Sequence, residues 1–91
     1  MVLLTCVHGG TAGATERAPA ALANACAACH GTDGRSEGAI PTIAGMPASE
    51  FVTKMNAFGA GTGEATIMGR IARGLSQAEI DGLAGYFVTA R

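Results

Sequence analysis

Apolar residues recur at helical spacing in three parts of the chain, and nowhere does a strand-like alternation run for long. Leu22, Ala25, Cys26 and Cys29 fall at i, i+3, i+4 and i+7 behind Pro19, a residue suited to a first helical turn. This spacing predicts a helix from near Pro19 to His30 or Gly31. Pro47 and Ser49 mark a second start, and the stripe Phe51, Val52, Met55, Phe58 predicts a helix from about Ala48 to Phe58. The third helix, Ser76 to about Thr89, opens on Ser76-Gln77-Ala78-Glu79, a capping box in which serine and glutamate each satisfy an orphan backbone N–H. Ile80, Leu83, Ala84 and Phe87 make its buried face. Gly82 and Gly85 weaken it by roughly 1 kcal/mol each relative to Ala, and residues that small suggest a close helix crossing.

The stretches between these helices are long. "GTDGRSEGAIPTIAGMP" is rich in Gly and Pro, and "GAGTGEATIMG" breaks the pattern again before a short turn, "RIARG". The expected architecture is all-α, three main helices with long loops, and loops of that length in a compact domain wrap something. Residues 1–17, "MVLLTCVHGGTAGATER", show no period and read as a flexible tail or the remnant of a presequence, leaving 18–91 as one domain. The opening is too short for a signal peptide's charged region and core. The same shortness counts against reading "LLTC" as a lipid-attachment site, so Cys6 is taken as a thiol in a tail.

Composition adds a need for a partner or cofactor. A chain of 91 residues buries a modest share of its surface. With no Trp, four aromatic residues and much of its apolar content in Ala, helices closing on themselves leave little core. A large flat apolar cofactor would supply it. A net charge of −1 with no basic run argues against nucleic acid. No segment reaches the ~20 apolar residues of a membrane span.

The chemistry centres on "CAACHG". On a helix Cys26, Cys29 and His30 project to one side, since Cys29 and His30 are each one turn from Cys26. Two thiols at this spacing can form thioethers to the two vinyl groups of one porphyrin edge, with the adjacent imidazole placed to reach the iron. Zinc would need a fourth ligand from Cys6 or His8, and adjacent Cys29 and His30 make joint ligation awkward. A thioredoxin-like pair would need a βαβ context, and a structural disulfide leaves His30 without a role. Covalent haem accounts for all three residues.

A haem then needs a second axial ligand or an open position, and with His8 in the tail methionine is the natural candidate, ahead of an unforeseen ligand. Met55 sits on an apolar stripe and reads as core filler. Met68, in the irregular stretch before "RIARG", is the preferred ligand for the face opposite His30, and Met46 is the alternative. A His/Met iron is six-coordinate and has no open position for substrate, so the chain would move single electrons. No carboxylate pair, nucleophile–base arrangement or phosphate-cradling loop suggests a catalytic site of its own. Arg70 and Arg73 either line the haem edge or are simply solvated.

"CAACHG", "IPTIAG" and "IMGRIARGLSQAEIDGLAGYF", in that order, resemble the class I monohaem c-type cytochromes over about Ala18 to Arg91. The resemblance implies thioethers at Cys26 and Cys29, axial ligation by His30 and Met68, and one covalent haem c. It also implies that the backbone of Pro41 orients the proximal histidine, and that Tyr86 and Phe87 lie where the last helix crosses the first. "TIMGRIARG", "AGYF" and "FVTKMNAFGAG" further resemble the cytochrome subunit of flavocytochrome c sulfide dehydrogenases. That likeness implies an FAD-containing partner chain that oxidises sulfide, and residence in the periplasm. The better-known form has two haem domains, whereas one motif serves this chain. A free-standing periplasmic electron shuttle is the alternative.

Overall fold

The computed structural model describes residues 16–63 and 66–90; Cys6, His8 and most of the tail lie outside these. Within them the elements are α1 (Pro19–His30), a 3-10 turn (Thr32–Gly34), α2 (Ala48–Ala60), α3 (Thr66–Arg73) and α4 (Gln77–Val88). The class is all-α as the pattern predicts, with a fourth helix. α1 carries its proline in the first turn and ends at Gly31, whose N–H donates to the carbonyl of Ala27. α2 runs two residues further than its apolar stripe and stops at Gly61, in the left-handed conformation at φ 82°. α4 has the capping box that its sequence announces: Glu79 N–H donates to Ser76 Oγ at 3.0 Å, and Ser76 N–H to Glu79 Oε1 at 2.9 Å.

α3 corrects one expectation. The segment around Met68 is helical rather than irregular, and it packs on α2. The reason lies in small residues that look like breakers in the sequence. Gly69 is buried, and a Cβ built on it would stand 3.3 Å from the Phe58 carbonyl oxygen; one built on Gly59 would stand 3.7 Å from Ala72 Cβ. The two backbones approach closely there, and the burial of Ala72 at the crossing offsets the weak helix propensity of glycine.

The core is built from Leu22 and Ala23 of α1, Ile43 of the loop, Phe51 and Met55 of α2, Ala72 of α3, and Ile80, Leu83, Ala84 and Phe87 of α4. Phe87 is its centre. Its ring stacks with Phe51 at 5.9 Å between centroids and meets Tyr86 edge-on at 5.2 Å. The expected face of α4 is buried at every position. The expected face of α1 divides: Leu22 is buried and Cys26 half-buried, but Ala25 and Cys29 are exposed, and Ala23 is buried instead.

The two α4 glycines also divide. A Cβ on Gly82 would lie 2.9 Å from Pro19 Cγ, so this glycine is where α4 crosses the start of α1; Gly85 has open space around it. Gly85→Ala is therefore expected to stabilise the fold by about 0.5–1 kcal/mol, the helix-propensity gain. Gly82→Ala should show no such gain, because Pro19 must shift. Thermal denaturation of the two variants side by side reads the difference.

Arg17, at the end of the expected tail, is tied into the domain. Its backbone N–H donates to Glu79 Oε2 at 2.8 Å, its Nε to the same oxygen at 2.9 Å, and its guanidinium also reaches Glu79 Oε1 and the Gly74 carbonyl. Glu79 is thus a buried carboxylate that caps α4 and anchors the entry to α1 together. The Arg17 guanidinium, then the backbone N–H groups of Arg17 and Ser76, lower its pKa from 4.5 to about 2. A carboxylate lowered in the folded state stabilises above its unfolded pKa and stops doing so as pH falls through its folded one. The contribution is expected to be complete above about pH 4.5 and to disappear towards pH 2. Arg17→Ala should lower the melting temperature at pH 7, with the gap from the native protein narrowing as an acid titration passes through that window.

Candidate functional site

The last turns of α1 carry Cys26, Cys29 and His30, and the chain reverses immediately after them. Gly31 makes that possible, with φ 86° and ψ 168°, a region open essentially to glycine alone. The 3-10 turn follows, and the loop returns so that Pro41 stands beside His30. Nδ1 of His30 lies 2.7 Å from the Pro41 carbonyl oxygen. A carbonyl only accepts, so Nδ1 carries the proton and donates, and the lone pair is left on Nε2. A neutral imidazole fixed in that tautomer is a metal ligand held ready through its other nitrogen.

Cys26 and Cys29 are not joined to each other by a disulfide. Cys26 is half-buried against the core, and burial pushes its pKa up; Cys29 is exposed. Met68 comes from a different part of the fold, the first turn of α3, where it is half-buried and packs against the core. Met46 is also half-buried, in the loop before α2, with its N–H on the Ile43 carbonyl at 3.2 Å. Met55 is core, 6% exposed, as its stripe position predicts. Arg70 and Arg73 are both exposed on α3. The structure therefore joins His30 to Pro41 directly and leaves Met68 on a separate helix.

Three residues escape the sequence reading. Ile40, Ile67 and Ile71 are large apolar side chains left 44%, 65% and 45% exposed. Ile40 precedes Pro41, Ile67 precedes Met68, and Ile71 lies one turn further along α3. Apolar surface of this kind normally finds cover, and in the chain each of these residues lies next to, or within one helical turn of, a candidate site residue. Nothing in their spacing separates them from core residues before the fold is known.

These features fit a haem. Two thiols one turn apart, an imidazole with Nε2 available, a half-buried thioether and uncovered isoleucines next to Pro41 and Met68 in the chain are the kinds of group that a porphyrin edge, its iron and its apolar faces would use. Among the described residues no three His, Cys, Asp or Glu side chains converge as a metal cage. No helix among them is long and apolar enough to cross a membrane.

The cytochrome c family model matches residues 15–91. The chain is 41% identical over 73 residues to the cytochrome subunit of sulfide dehydrogenase from Chlorobaculum tepidum, across 80% of this chain and 66% of that protein. It is 34% identical over 62 residues to cytochrome c-552 of Acidithiobacillus ferridurans, across 68% of this chain and 27% of that one. Among solved structures, cytochrome c4 of Acidithiobacillus ferrooxidans superposes with a TM-score of 0.68 at 32% identity, over 71% of this chain and 38% of that chain. The chain thus spans 66% or less of the length of each of these relatives. With the motif helix, the oriented histidine and the family match in agreement, this chain belongs to the cytochrome c family, an electron-transfer domain with a single covalently bound haem c, related to the cytochrome subunit of a sulfide dehydrogenase.

Proposed function

We propose that Cys26 and Cys29 hold the haem through thioethers, that His30 Nε2 and the Met68 sulfur are the axial ligands, and that the Pro41 carbonyl orients His30. The observation that carries this reading is the 2.7 Å bond between His30 Nδ1 and Pro41, one helical turn from Cys26. Bound there, the haem supplies a one-electron iron couple. The rest falls to the chain. Pro41 keeps His30 in the tautomer that presents Nε2, and the hydrogen bond enriches the ring as a donor. Met68, packed on the core, offers a soft thioether that favours the reduced iron. With both axial positions filled, substrate has nowhere to bind, and the domain passes electrons rather than making bonds.

The 41% identity to the Chlorobaculum tepidum subunit supports a narrower reading. The domain takes electrons from an FAD-containing sulfide-oxidising chain, in the periplasm, and the flavin belongs to that partner. Purification from the native source tests both levels. The reduced protein should show a sharp α-band, and its mass should exceed the polypeptide by one haem; absence of either removes the haem reading. A yellow, FAD-containing chain should co-purify. A cytochrome recovered alone that accepts electrons from several redox proteins would replace the subunit reading with that of a shuttle.

A further inference from the structure

The loop that delivers the Pro41 carbonyl to His30 has no regular structure between Arg35 and Pro47, and Pro41 has no backbone N–H with which to anchor itself. Its outgoing arm is pinned just beyond, where Ile43 and Ala44 N–H donate to the Gly34 carbonyl at 2.8 and 3.2 Å. Its incoming arm passes directly over Gly31, where a built Cβ would stand 2.0 Å from the Arg35 carbonyl oxygen and 3.1 Å from Ser36 Cα. One hydrogen bond joins the two arms at the level of Pro41: the Ser36 N–H donates to Thr42 Oγ1 at 3.0 Å. Ser36 lies close against Gly31, the residue after His30, and Thr42 is the covalent neighbour of Pro41, so this bond ties the Pro41 peptide to the arm that passes over Gly31.

From this geometry we infer that Thr42 is a positioning residue for the proximal histidine. Its hydroxyl clasps the loop shut and sets how firmly the Pro41 carbonyl meets His30 Nδ1. The inference rests on the proposed role of His30 as the proximal ligand. A firm Nδ1–H···O=C bond makes the imidazole a stronger donor to ferric iron, so loosening the clasp favours the ferrous state. Removal of the acceptor leaves Ser36 N–H to water, which half-burial permits, so the protein stays folded while the register of Pro41 relaxes.

The test uses the full haem-loaded chain. Thr42→Val keeps the shape and removes the acceptor; Thr42→Ser restores it. Thr62→Val is the control, since Thr62 Oγ1 donates to the Ala57 carbonyl at the far end of α2. Thr42→Val is expected to shift the ferrous-to-ferric ratio at a fixed applied potential upwards by about threefold, a fraction of one hydrogen bond's net worth. The electron-paramagnetic g-values of the ferric protein, which report the orientation of the axial imidazole, should move with it. Thr42→Ser should restore both, and Thr62→Val should change neither. Unchanged potential and g-values in Thr42→Val would overturn the inference, and so would a variant that loses thermal stability with both unmoved. Should Thr42→Val fail to mature, Thr42→Ala is judged by the same two readouts. Failure of the underlying assignment is seen separately: His30→Ala would then leave the wild-type low-spin spectrum intact.

Discussion

Met68→Ala is expected to abolish the low-spin spectrum of the reduced and oxidised protein and to lower the reduction potential by on the order of 0.1 V, within the range that axial ligation spans. The thioether is a soft ligand that prefers ferrous iron; water or an open position in its place does not. Met68 is only half-buried, and its neighbour Ile67 is 65% exposed, so truncation removes little core and the fold should persist. Circular dichroism of the variant separates loss of ligation from loss of structure. A native α-band in Met68→Ala would transfer the assignment to Met46, which is also half-buried. The same measurement on Met46→Ala would then decide.

The helices with clear caps and breakers were legible from the sequence alone. α1 and α4 end within a residue of where Pro19, Gly31, the capping box and Thr89 place them, because caps and breakers act locally. α3 was not legible for the opposite reason. Its helical state depends on a neighbour: Gly69 and Ala72 are poor or small residues until α2 presses against them, and then smallness is what lets the two backbones meet. The same logic divides Gly82 from Gly85, which look alike in the sequence and differ only in what stands opposite. Arg17 shows a further limit. The capping role of Glu79 is written in four consecutive residues, but its ion pair reaches 62 positions back into a stretch without any period.

The candidate site is legible in the sequence where its chemistry is local. Cys26, Cys29 and His30 sit within five residues, and the helix that places them needs no tertiary information. The partnership of His30 with Pro41 comes from family resemblance, since nothing in ten intervening positions measures a distance; the fold brings them to 2.7 Å. The uncovered isoleucines became visible only once the rest of the apolar side chains had been assigned to the core. A residue exposed beside a site is recognisable by subtraction, and subtraction requires the structure.

The second large effect is expected at Gly31. Gly31→Ala should destabilise the protein by about 2–6 kcal/mol, combining ~1–3 kcal/mol of backbone strain with a similar cost for forced displacement of the packed loop. Two independent features of the position lead there. At φ 86° and ψ 168° an L-residue is strained whatever space surrounds it. There is also no space: the new Cβ would lie 2.0 Å from the Arg35 carbonyl oxygen and 2.6 Å from its carbon, which are backbone atoms and cannot swing aside as a side chain would. Relief must come from moving Arg35 and Ser36, and with them the clasp to Thr42 and the Pro41 carbonyl. The damage therefore reaches His30 through the displaced Pro41 carbonyl as well as through the chain reversal that follows it. Denaturant unfolding should show the loss of stability. In whatever folded, haem-loaded protein is recovered, the reduction potential should lie above that of the native chain, because the imidazole has lost its acceptor. Gly34→Ala provides the comparison. It too has a positive φ, of 82°, and its Cβ would meet Ile43, Ala44 and Phe87 within 3.0 Å, but the strain falls on the core side of the loop. Both variants should be less stable than the native protein; a Gly31→Ala protein with native stability would mean that the reversal after His30 does not need glycine.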